Sequence, residues 1–289
     1  MRAAGTLNGR TRARRPPDVP AQVGVTRQNK WRWLPAVCFG VGMSGLDEPA
    51  FYGDRWASVY DESFSELDPT AAVEFLAGIA GDGRVLELAI GTGRVALPLA
   101  DRGVTVEGVD ASAAMVERLR AKPGGAAIPV TMGDMAQLPA SGPYRLVYLV
   151  FNALFSLLNQ DRQAECFRTV ARVLQPGGLF VIECFVPDPS RFDRDQRVHL
   201  VSVTEDSAVV NLSRHDALEQ RVMSQIITFD AGGMRMHPVA LRYSWPSELD
   251  LMAGQAGLRL KERYGDWDRQ PFDGGSDRHV SVYELPNSG

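Results

Sequence analysis

Three carboxylates that end short apolar runs are the residues of this sequence with the clearest chemical potential: Glu87, Asp110 and Asp134. A turn of small residues, 89–93, follows the first of them, and a helical pattern begins at Arg94. The glycines of this turn let the backbone bend sharply and approach a ligand closely. The free N–H groups of the following helix attract a polar or anionic group. The stretch therefore predicts a strand, a turn and a helix that hold a nucleotide-like cofactor.

Two kinds of cofactor suit this turn. Residues 91–96 match the dinucleotide pattern GxGxxG/A, and Asp110 lies about 20 residues later, where a ribose-binding acid belongs for either cofactor. Two features favour S-adenosylmethionine. Glu87 lies within the strand before the glycines, and the next strand ends in residues 133–135, Gly-Asp-Met. A carboxylate there can accept from an adenine amino group, and the methionine can pack on the adenine ring.

Together these three strand ends resemble the class I, Rossmann-like S-adenosylmethionine-dependent methyltransferases of the small-molecule type, over residues 50–285. An LxPGG turn at residues 174–178 is common in that family. The segments LRLKERYG and HVSVYEL match the antiparallel pair of strands that closes the family's sheet. Ala89 stands where the family's E/DxGxGxG pattern has its first glycine. Alanine is small, so we expect a slightly altered turn and a working site.

The resemblance also implies which residues hold the cofactor. Many small-molecule members carry a Tyr-Asp pair upstream of the first strand, which covers the methionine end of the cofactor, and Tyr60-Asp61 matches it. The cofactor residues that we expect are Tyr60, Glu87, Ala89, Gly91, Gly93, Arg94, Asp110, Ala111, Met115, Gly133, Asp134, Met135 and Phe151. HExxH and CxxC patterns are absent from the sequence, so we expect no metal.

The catalytic candidates are individually weak, because methyl transfer from a sulfonium depends mainly on positioning. Positioning alone can remove about 7–11 kcal/mol of barrier, and a general base adds about 10²–10⁴-fold. A neutral amine needs little help from a base, whereas a hydroxyl or carbon acceptor needs more. The candidates are His215 and His237 as bases, Asn152 and Glu183 at the ends of the fourth and fifth strands, and Arg242 for an acidic acceptor group. Each also has a structural explanation, such as a hydrogen-bonded histidine or a turn asparagine.

The order of the patterns predicts an α/β fold, a Rossmann-like doubly wound sheet of seven strands whose last strand is antiparallel. Residues 46–186 and 246–289 are expected to form this core. Residues 187–245 alternate apolar and polar residues and are predicted to form an inserted antiparallel β meander. Its turns are expected at 204–206, 215–217 and 230–233. Because ligands bind at the carboxyl ends of parallel strands, we expect the meander either to cover the acceptor or to form a homodimer contact.

Local patterns predict several helix features. Tyr52, Trp56 and Tyr60 have helical spacing and share one face. Asp68 is placed to cap the next helix, and Ser112 the helix that follows the second strand. Pro98 removes a helix hydrogen bond, so the helix after the glycine turn is expected to be short or kinked.

Composition limits the class of protein. The chain has 289 residues, 45% hydrophobic residues and a net charge of −4, so nucleic acid is not an expected partner. No apolar run approaches the roughly 20 residues of a membrane span, and the three cysteines are far apart. We expect reduced cysteines, a cytoplasmic location and no membrane partner. Residues 1–45 are expected to be a disordered extension, with Met43 as an alternative start and a secretory signal as the less favoured explanation.

These patterns predict an enzyme that transfers a methyl group from S-adenosylmethionine to a small-molecule acceptor. The resemblance slightly favours N-methylation over O- or C-methylation. Two other classes remain open: a nucleotide-dependent oxidoreductase, which would bind NAD, and a cofactor-binding protein without transfer activity, which would produce no S-adenosylhomocysteine.

Overall fold

The computed structural model describes residues 45–138 and 141–287, so the predicted extension lies outside the described residues apart from Gly45. The strands are β1 (Val85–Leu88), β2 (Val106–Asp110), β3 (Val130–Met132), β4 (Tyr144–Leu149), β5 (Leu174–Phe185), β6 (Gln196–Val203), β7 (Ala208–Asp216), β8 (Arg221–Asp230), β9 (Gly233–Arg242), β10 (Arg259–Tyr264) and β11 (Arg278–Glu284). The helices are α1 (Phe51–Trp56), α2 (Tyr60–Ser63), α3 (Thr70–Ala80), α4 (Ala96–Asp101), α5 (Ala113–Ala121), α6 (Gln160–Val173) and α7 (Pro246–Gln255).

Seven strands form the main sheet in the order β10–β11–β5–β4–β1–β2–β3. Strands β1 to β5 are parallel to one another, whereas β11 is antiparallel to both β5 and β10. The predicted doubly wound sheet with an antiparallel last strand is therefore confirmed. The strand order reverses between β1 and β4, and the crevice at such a switch point is where open α/β sheets bind ligands.

The central strands lie in the core because their sequences are almost continuously apolar. All four residues of β1 are buried, as is most of β4, as expected for parallel strands that helices cover on both faces. One face packs around Phe167 and Phe180, and the other around Leu76 and Tyr148. This rigid core holds the carboxyl ends of the strands in place.

The predicted helix features match the structure closely. The Asp68 carboxylate accepts from the backbone N–H of Thr70, at 2.9 Å, where α3 begins. The Ser112 hydroxyl accepts from the N–H of Met115 at the start of α5. Helix α4 has six residues, and Pro98 lies in its first turn, where the lost hydrogen bond costs least.

The predicted meander forms a second sheet, in which β6, β7, β8 and β9 pair consecutively and antiparallel. One predicted turn was misplaced, because His215 lies inside β7 and the turn follows it at 217–220. The reason is that the Asp216 carboxylate accepts from the N–H groups of Leu218 and Glu219, both at 3.0 Å, and closes the turn after the strand. The indole Nε1 of Trp56 donates to the carbonyl of Pro238, at 3.0 Å, which fixes α1 to β9.

Candidate functional site

A cavity of about 490 Å³ lies at the carboxyl ends of β1, β2 and β4. The segment before α1, the helices α1 and α2, the start of α6, and strands β8 and β9 complete its wall. Its size falls within the range of small-molecule and cofactor sites. The switch point of the main sheet thus carries a pocket, and the second sheet contributes part of its wall.

The cavity brings together almost all the residues predicted for the cofactor. The lining includes Tyr60, Glu87, Ala89, Gly91, Arg94, Asp110, Ala111, Met115, Gly133, Asp134, Met135 and Phe151. Gly93 is the exception and lies behind the turn. A Cβ on Gly93 would approach Leu119 Cδ1 to 2.3 Å, so this glycine allows the turn to pack against α5. Gly93 therefore has a packing role between the glycine turn and α5.

The turn after β1 accommodates an alanine in a conformation that favours glycine. Ala89 has φ 53° and Gly91 has φ 57°. A non-glycine residue in this region costs on the order of 1–2 kcal/mol. The turn is therefore strained at Ala89. The alanine adopts the left-handed conformation that a glycine in this place would adopt without strain.

Asp110 links the end of β2 to the glycine turn. Its side chain is only 9% exposed. Oδ2 accepts from the N–H of Gly91 at 2.7 Å, and Oδ1 accepts from the N–H of Ser112 at 2.8 Å. Burial raises the pKa of this carboxyl, and the backbone N–H groups oppose the increase. Each oxygen retains a lone pair that can accept from a ligand hydroxyl.

Glu87 and Arg94 lie at the other side of the turn. The Glu87 side chain is 2% exposed, and its carboxylate accepts from the hydroxyl of Tyr148 at 2.8 Å. Burial raises the pKa of Glu87 to about 8, which the Tyr148 hydroxyl and the Arg94 charge oppose. The Arg94 guanidinium lies 5.2 Å from the centre of the Phe151 ring. Its Nε is buried and has no hydrogen-bond partner among the described residues.

Asp134, at the end of β3, is held in place by a residue that the sequence did not reveal. Its Oδ1 accepts from the N–H of Ala136 at 2.8 Å, and Oδ2 pairs with the guanidinium of Arg162. The Asn159 side chain accepts from the N–H of Arg162 at 2.9 Å and so caps α6. The sequence Asn-Gln-Asp-Arg signals this cap, but only the tertiary fold brings α6 to the end of β3.

Aromatic rings form the wall beside α1 and α2. Tyr52 lies 5.6 Å from Trp56 and 6.5 Å from Tyr60, between ring centroids. Phe64 is 4.9 Å from Tyr60 and 5.1 Å from Phe151, which closes the wall against the end of β4. Tyr52, Trp56 and Tyr60 were predicted to share one helical face, but the chain turns at 57–59 between α1 and α2, and the three rings come together from two short helices. Burial raises the pKa of both tyrosines, so their hydroxyls stay neutral.

Asn152 is the only one of the five catalytic candidates that lines the cavity. Phe151 and Asn152 both have positive φ, at 55° and 63°, so the chain turns sharply after β4. The Glu183 carboxylate accepts from the N–H of Phe151 at 2.8 Å, and the Asn152 side-chain oxygen accepts from the N–H of Phe185 at 2.7 Å. Glu183 therefore contacts the backbone of the turn and lies outside the lining.

The structure does not bring His215 or Arg242 to the cavity. His215 is buried, and its Nε2 lies 2.9 Å from the hydroxyl of Tyr243. Arg242 is also buried, where it pairs with Glu248 at 2.7 Å and donates to Gln163 at 3.0 Å. Arg242 thereby fastens the second sheet to α6 and α7, whereas His215 packs between Tyr243 and Phe192.

His237 lies on the cavity face of β9 but outside the lining. Residues two apart along a strand point to the same face, so His237 shares its face with Val239 and Leu241, which line the cavity. Its ring packs 4.9 Å from Trp56. Burial and the nearby Arg235 charge lower the pKa of His237, so the imidazole is neutral at neutral pH.

Within residues 45–138 and 141–287, no group of three or more histidines, cysteines, aspartates and glutamates could hold a metal ion. Cys166 and Cys184 are free and buried, whereas Cys38 lies outside the described residues. Burial raises the pKa of both thiols, which makes them poor nucleophiles. None of the described helices is long and apolar enough to cross a membrane.

The chemistry of the lining suits S-adenosylmethionine, whose sulfonium and ammonium groups are cationic and whose carboxylate is anionic. The acidic side chains in the lining are Asp47, Glu48, Glu87, Asp110 and Asp134, against the two arginines Arg94 and Arg162. The unpartnered Nε of Arg94 offers a donor for a carboxylate. The acceptors at the ends of β2 and β3 match hydroxyl and amino groups of a nucleoside.

Comparison with known proteins gives matches over most of the chain. Residues 85–178 match a family described as a methyltransferase domain. The cypemycin N-terminal methyltransferase from a Streptomyces species is 27% identical, over 83% of this chain and 99% of its own. The CcbJ methyltransferase structure from Streptomyces caelestis is 41% identical, with a TM-score of 0.77, over 82% of this chain and 98% of that one. CalS10, an amino pentose methyltransferase from Micromonospora echinaspora solved with S-adenosylmethionine bound, shares the fold at 22% identity and a TM-score of 0.59.

The match to CcbJ covers 98% of that chain at 41% identity, and this chain has the sheet and the strand-end carboxylates that the resemblance implied. The chain belongs to the class I S-adenosylmethionine-dependent methyltransferases.

Proposed function

We propose that this enzyme methylates the amino nitrogen of a small, largely apolar molecule. The observation that carries the proposal is the composition of the cavity beyond the residues expected to hold the cofactor. That part of the wall includes Phe64, Ile226, Val239, Ala240 and Leu241. Among the described lining residues there is no histidine, the side chain that most often acts as a general base near neutral pH.

The absence of an imidazole from the described lining distinguishes acceptor types. A neutral amine brings its own lone pair and needs only to be positioned, whereas a hydroxyl needs a base to remove its proton. One relative, which is 27% identical over 99% of its own length, is named as an N-terminal methyltransferase. That name indicates a nitrogen acceptor for the relative. Both observations favour an amine over an alcohol.

Residues at the strand ends are proposed to hold the cofactor. Asp110 would accept from the ribose hydroxyls, and Asp134 from the adenine amino group, while Met135 packs on the adenine ring. Arg94 would donate to the methionine carboxylate, and Glu87 would face the ammonium group. When bound, S-adenosylmethionine supplies an electrophilic methyl group whose leaving group is a neutral thioether.

In the reaction, the chain itself positions the acceptor amine and keeps bulk water out of the cavity. Tyr60 and Phe64 close the cavity beside α2, and Ile226 and Leu241 cover it from the second sheet. These walls would hold an apolar amine with its nitrogen toward the cofactor. Alignment of this kind is worth about 7–11 kcal/mol, and the proton that the product amine releases passes to water.

The raised pKa of Glu87 predicts that cofactor binding releases a proton. Without a ligand the carboxyl is largely protonated below its pKa of about 8. An ammonium group placed beside it favours the charged carboxylate and lowers that pKa. At pH 7, binding of S-adenosylhomocysteine should therefore release part of a proton, and affinity should rise as pH increases toward about 8.

Calorimetric titration at pH 7 in phosphate and in Tris measures this release, because the two buffers take up protons with different enthalpies. We expect a buffer-dependent binding enthalpy for the natural protein and none for the Glu87→Gln variant. Equal enthalpies in the two buffers for the natural protein would remove Glu87 from the ammonium site.

A paired acceptor screen tests the proposed reaction. Purified enzyme and S-adenosylmethionine are incubated with amines and with alcohols of the same apolar body, and S-adenosylhomocysteine is measured. We expect product with amines at rates at least about 100-fold above the matched alcohols, in line with the size of general-base effects. Faster turnover of the alcohols would overturn the nitrogen assignment. Tight binding of S-adenosylhomocysteine without turnover of any acceptor would favour a protein that binds the cofactor without transfer.

A further inference from the structure

The segment 51–64, which contains α1 and α2, forms one wall of the cavity. Its residues in the lining are Phe51, Tyr52, Gly53, Tyr60 and Phe64. The two helices have six and four residues, and helices this short are not stable in isolation. Their apolar side chains belong to a small cluster around Trp56, apart from the two clusters that surround the main sheet. Contacts with other elements must therefore fix this segment, which we call the clasp.

Helix α5 supports the clasp through polar contacts at its start, in its middle and at its end. At the start, the hydroxyl of Ser112 donates to the Asp54 carboxylate at 2.6 Å. Further along, the guanidinium of Arg118 donates to the carbonyl of Ser58 at 3.1 Å. These two contacts join the clasp to α5 alone, whereas the third contact also involves the glycine turn.

The third contact is made by Lys122, at the C-terminal end of α5. Its ammonium donates to Asp61 Oδ1 and to the carbonyl of Thr92, both at 2.8 Å. The Thr92 hydroxyl donates to the same Asp61 oxygen at 2.6 Å. Burial opposes the ionisation of Asp61, but the hydrogen bonds from Lys122 and Thr92 outweigh it and lower the pKa of this carboxyl. One point thus joins α2, the turn after β1 and the end of α5.

This point lies directly behind the wall of the cavity. Asp61 and Lys122 are outside the described lining, but Tyr60 and Thr92 belong to it. The side chains of Asp61 and Lys122 are 38% and 29% exposed, whereas Thr92 is 1% exposed. A partly exposed ion pair contributes little by itself. Here, however, the pair shares its oxygen with a buried hydroxyl of the turn, so it fixes two parts of the wall relative to each other.

We propose that Lys122 is a positioning residue, whose ammonium fastens the clasp to the glycine turn and so lengthens the time for which the cofactor stays bound. Movement of the clasp away from the turn would separate Tyr60 from Thr92 and open the cavity between them. Opening motions of this kind control ligand release in many enzymes. The inference rests on the cofactor occupying this cavity and is independent of the acceptor.

The partial exposure of the ion pair has a measurable consequence. Salt screens charges that reach the solvent, with a Debye length of about 10 Å at 0.1 M and about 3 Å at 1 M, and it screens buried charges much less. Glu87 and Asp110 inside the cavity are buried. Dissociation of S-adenosylhomocysteine should therefore become faster as salt increases, and this dependence should weaken when Lys122 loses its charge.

Surface plasmon resonance with S-adenosylhomocysteine over the immobilised full chain measures association and dissociation separately. Lys122→Met keeps the apolar stem and removes the ammonium, so it should raise the dissociation rate about tenfold, the equivalent of one hydrogen bond to a charged group. The association rate should change by less than about threefold, because altered contacts act mainly on dissociation. Lys122→Arg keeps a charged donor, so it should restore most of the natural dissociation rate.

Two further variants separate this role from a general effect of charge. Arg120→Met is the matched control, because it removes a positive charge from an exposed position in the last turn of the same helix. Its dissociation rate should equal that of the natural protein. Asp61→Ala should act like Lys122→Met, and the double variant should add little to either, since both side chains act through one contact. Thermal unfolding shows that each variant is folded.

Several results would overturn the proposal. One is a Lys122→Met dissociation rate within about threefold of the natural rate, the scale of an ordinary exposed ion pair. Another is a faster rate that Lys122→Arg does not restore, and a third is full additivity of the Asp61 and Lys122 substitutions. Absence of binding by the natural chain would overturn the cofactor site and the clasp together. Normal binding with an unchanged Lys122→Met variant would overturn the clasp alone.

Discussion

The Asp110→Ala variant is expected to bind S-adenosylhomocysteine about 100-fold more weakly than the natural enzyme. The carboxylate has two tasks that alanine cannot perform. It fixes the glycine turn through the N–H of Gly91, at 2.7 Å, and it holds the start of α5 through the N–H of Ser112, at 2.8 Å. Its remaining lone pairs are those proposed to accept from the ribose.

The magnitude follows from the charge of the group. A hydrogen bond to a charged partner contributes about 1.5–3 kcal/mol, and every 1.4 kcal/mol is a factor of about ten in affinity. Loss of the ribose contacts, together with a looser turn, therefore gives about 100-fold. Asp110→Asn keeps one acceptor oxygen, so its affinity should fall between those of the natural protein and the alanine variant.

A neighbouring acid provides the control for this experiment. Glu107 lies on the same strand, accepts from Arg84 Nε at 2.7 Å and does not line the cavity. Glu107→Ala should change the affinity by less than about threefold, the scale of partly exposed ion pairs. Calorimetric titration measures both variants, and thermal unfolding confirms that they fold. If Asp110→Ala stays within a few-fold of the natural protein, the ribose assignment is wrong.

The cofactor side of the site could be predicted because each of its parts is local in sequence. Glu87, Asp110 and Asp134 each follow an apolar run, and parallel strands place their carboxyl ends along one edge. The alternation of strand and helix patterns predicted the parallel part of the sheet, whereas its antiparallel end was expected only from the resemblance to the family. Of the expected cofactor residues, only Gly93 does not line the cavity, because it packs against Leu119. In a sequence, a glycine required for close packing looks the same as one required for a ligand.

The acceptor side was far less predictable, because it is assembled from distant parts of the chain. His215 was predicted as a base and Arg242 as a partner for an acidic acceptor group, but the fold directs them to buried contacts with Tyr243 and Glu248, respectively. The lining there comes instead from apolar residues such as Val239 and Leu241, which carry no chemical signal. Arg162 was missed for the same reason, since its pairing with Asp134 joins α6 to β3.

Glu183 shows how a residue can be correctly located and still have a different task from the expected one. The sequence placed it at the end of β5 as a catalytic candidate. In the structure its carboxylate accepts from the N–H of Phe151, and its carbonyl accepts from the N–H of Asn152. Both of those residues have positive φ, which costs on the order of 1–2 kcal/mol for Phe151. The contact offsets this strain and fixes the wall of the cavity.

We therefore expect Glu183→Ala to reduce kcat by about 10- to 100-fold, the equivalent of the roughly 1.5–3 kcal/mol of one hydrogen bond to a charged group. The affinity for S-adenosylhomocysteine should fall by less than about threefold, because the strand ends proposed to hold ribose and adenine are separate from this turn. Steady-state kinetics with an active amine and calorimetric titration measure the two quantities.

The conservative variant decides between a positioning role and a role as a base. Glu183→Gln keeps an oxygen that accepts from the N–H of Phe151, so a positioning residue should retain most of its activity and an unchanged pH profile. A general base would lose its function as completely in glutamine as in alanine, and the dependence of kcat on pH would change with it. Glu165→Ala, on α6 away from the cavity, controls for the loss of a carboxylate. An equal loss of kcat in Glu183→Gln and Glu183→Ala would identify Glu183 as a general base. If Glu183→Gln keeps most of the natural kcat, the carboxylate acts by holding the strained turn after β4 in place, and this turn aligns the acceptor.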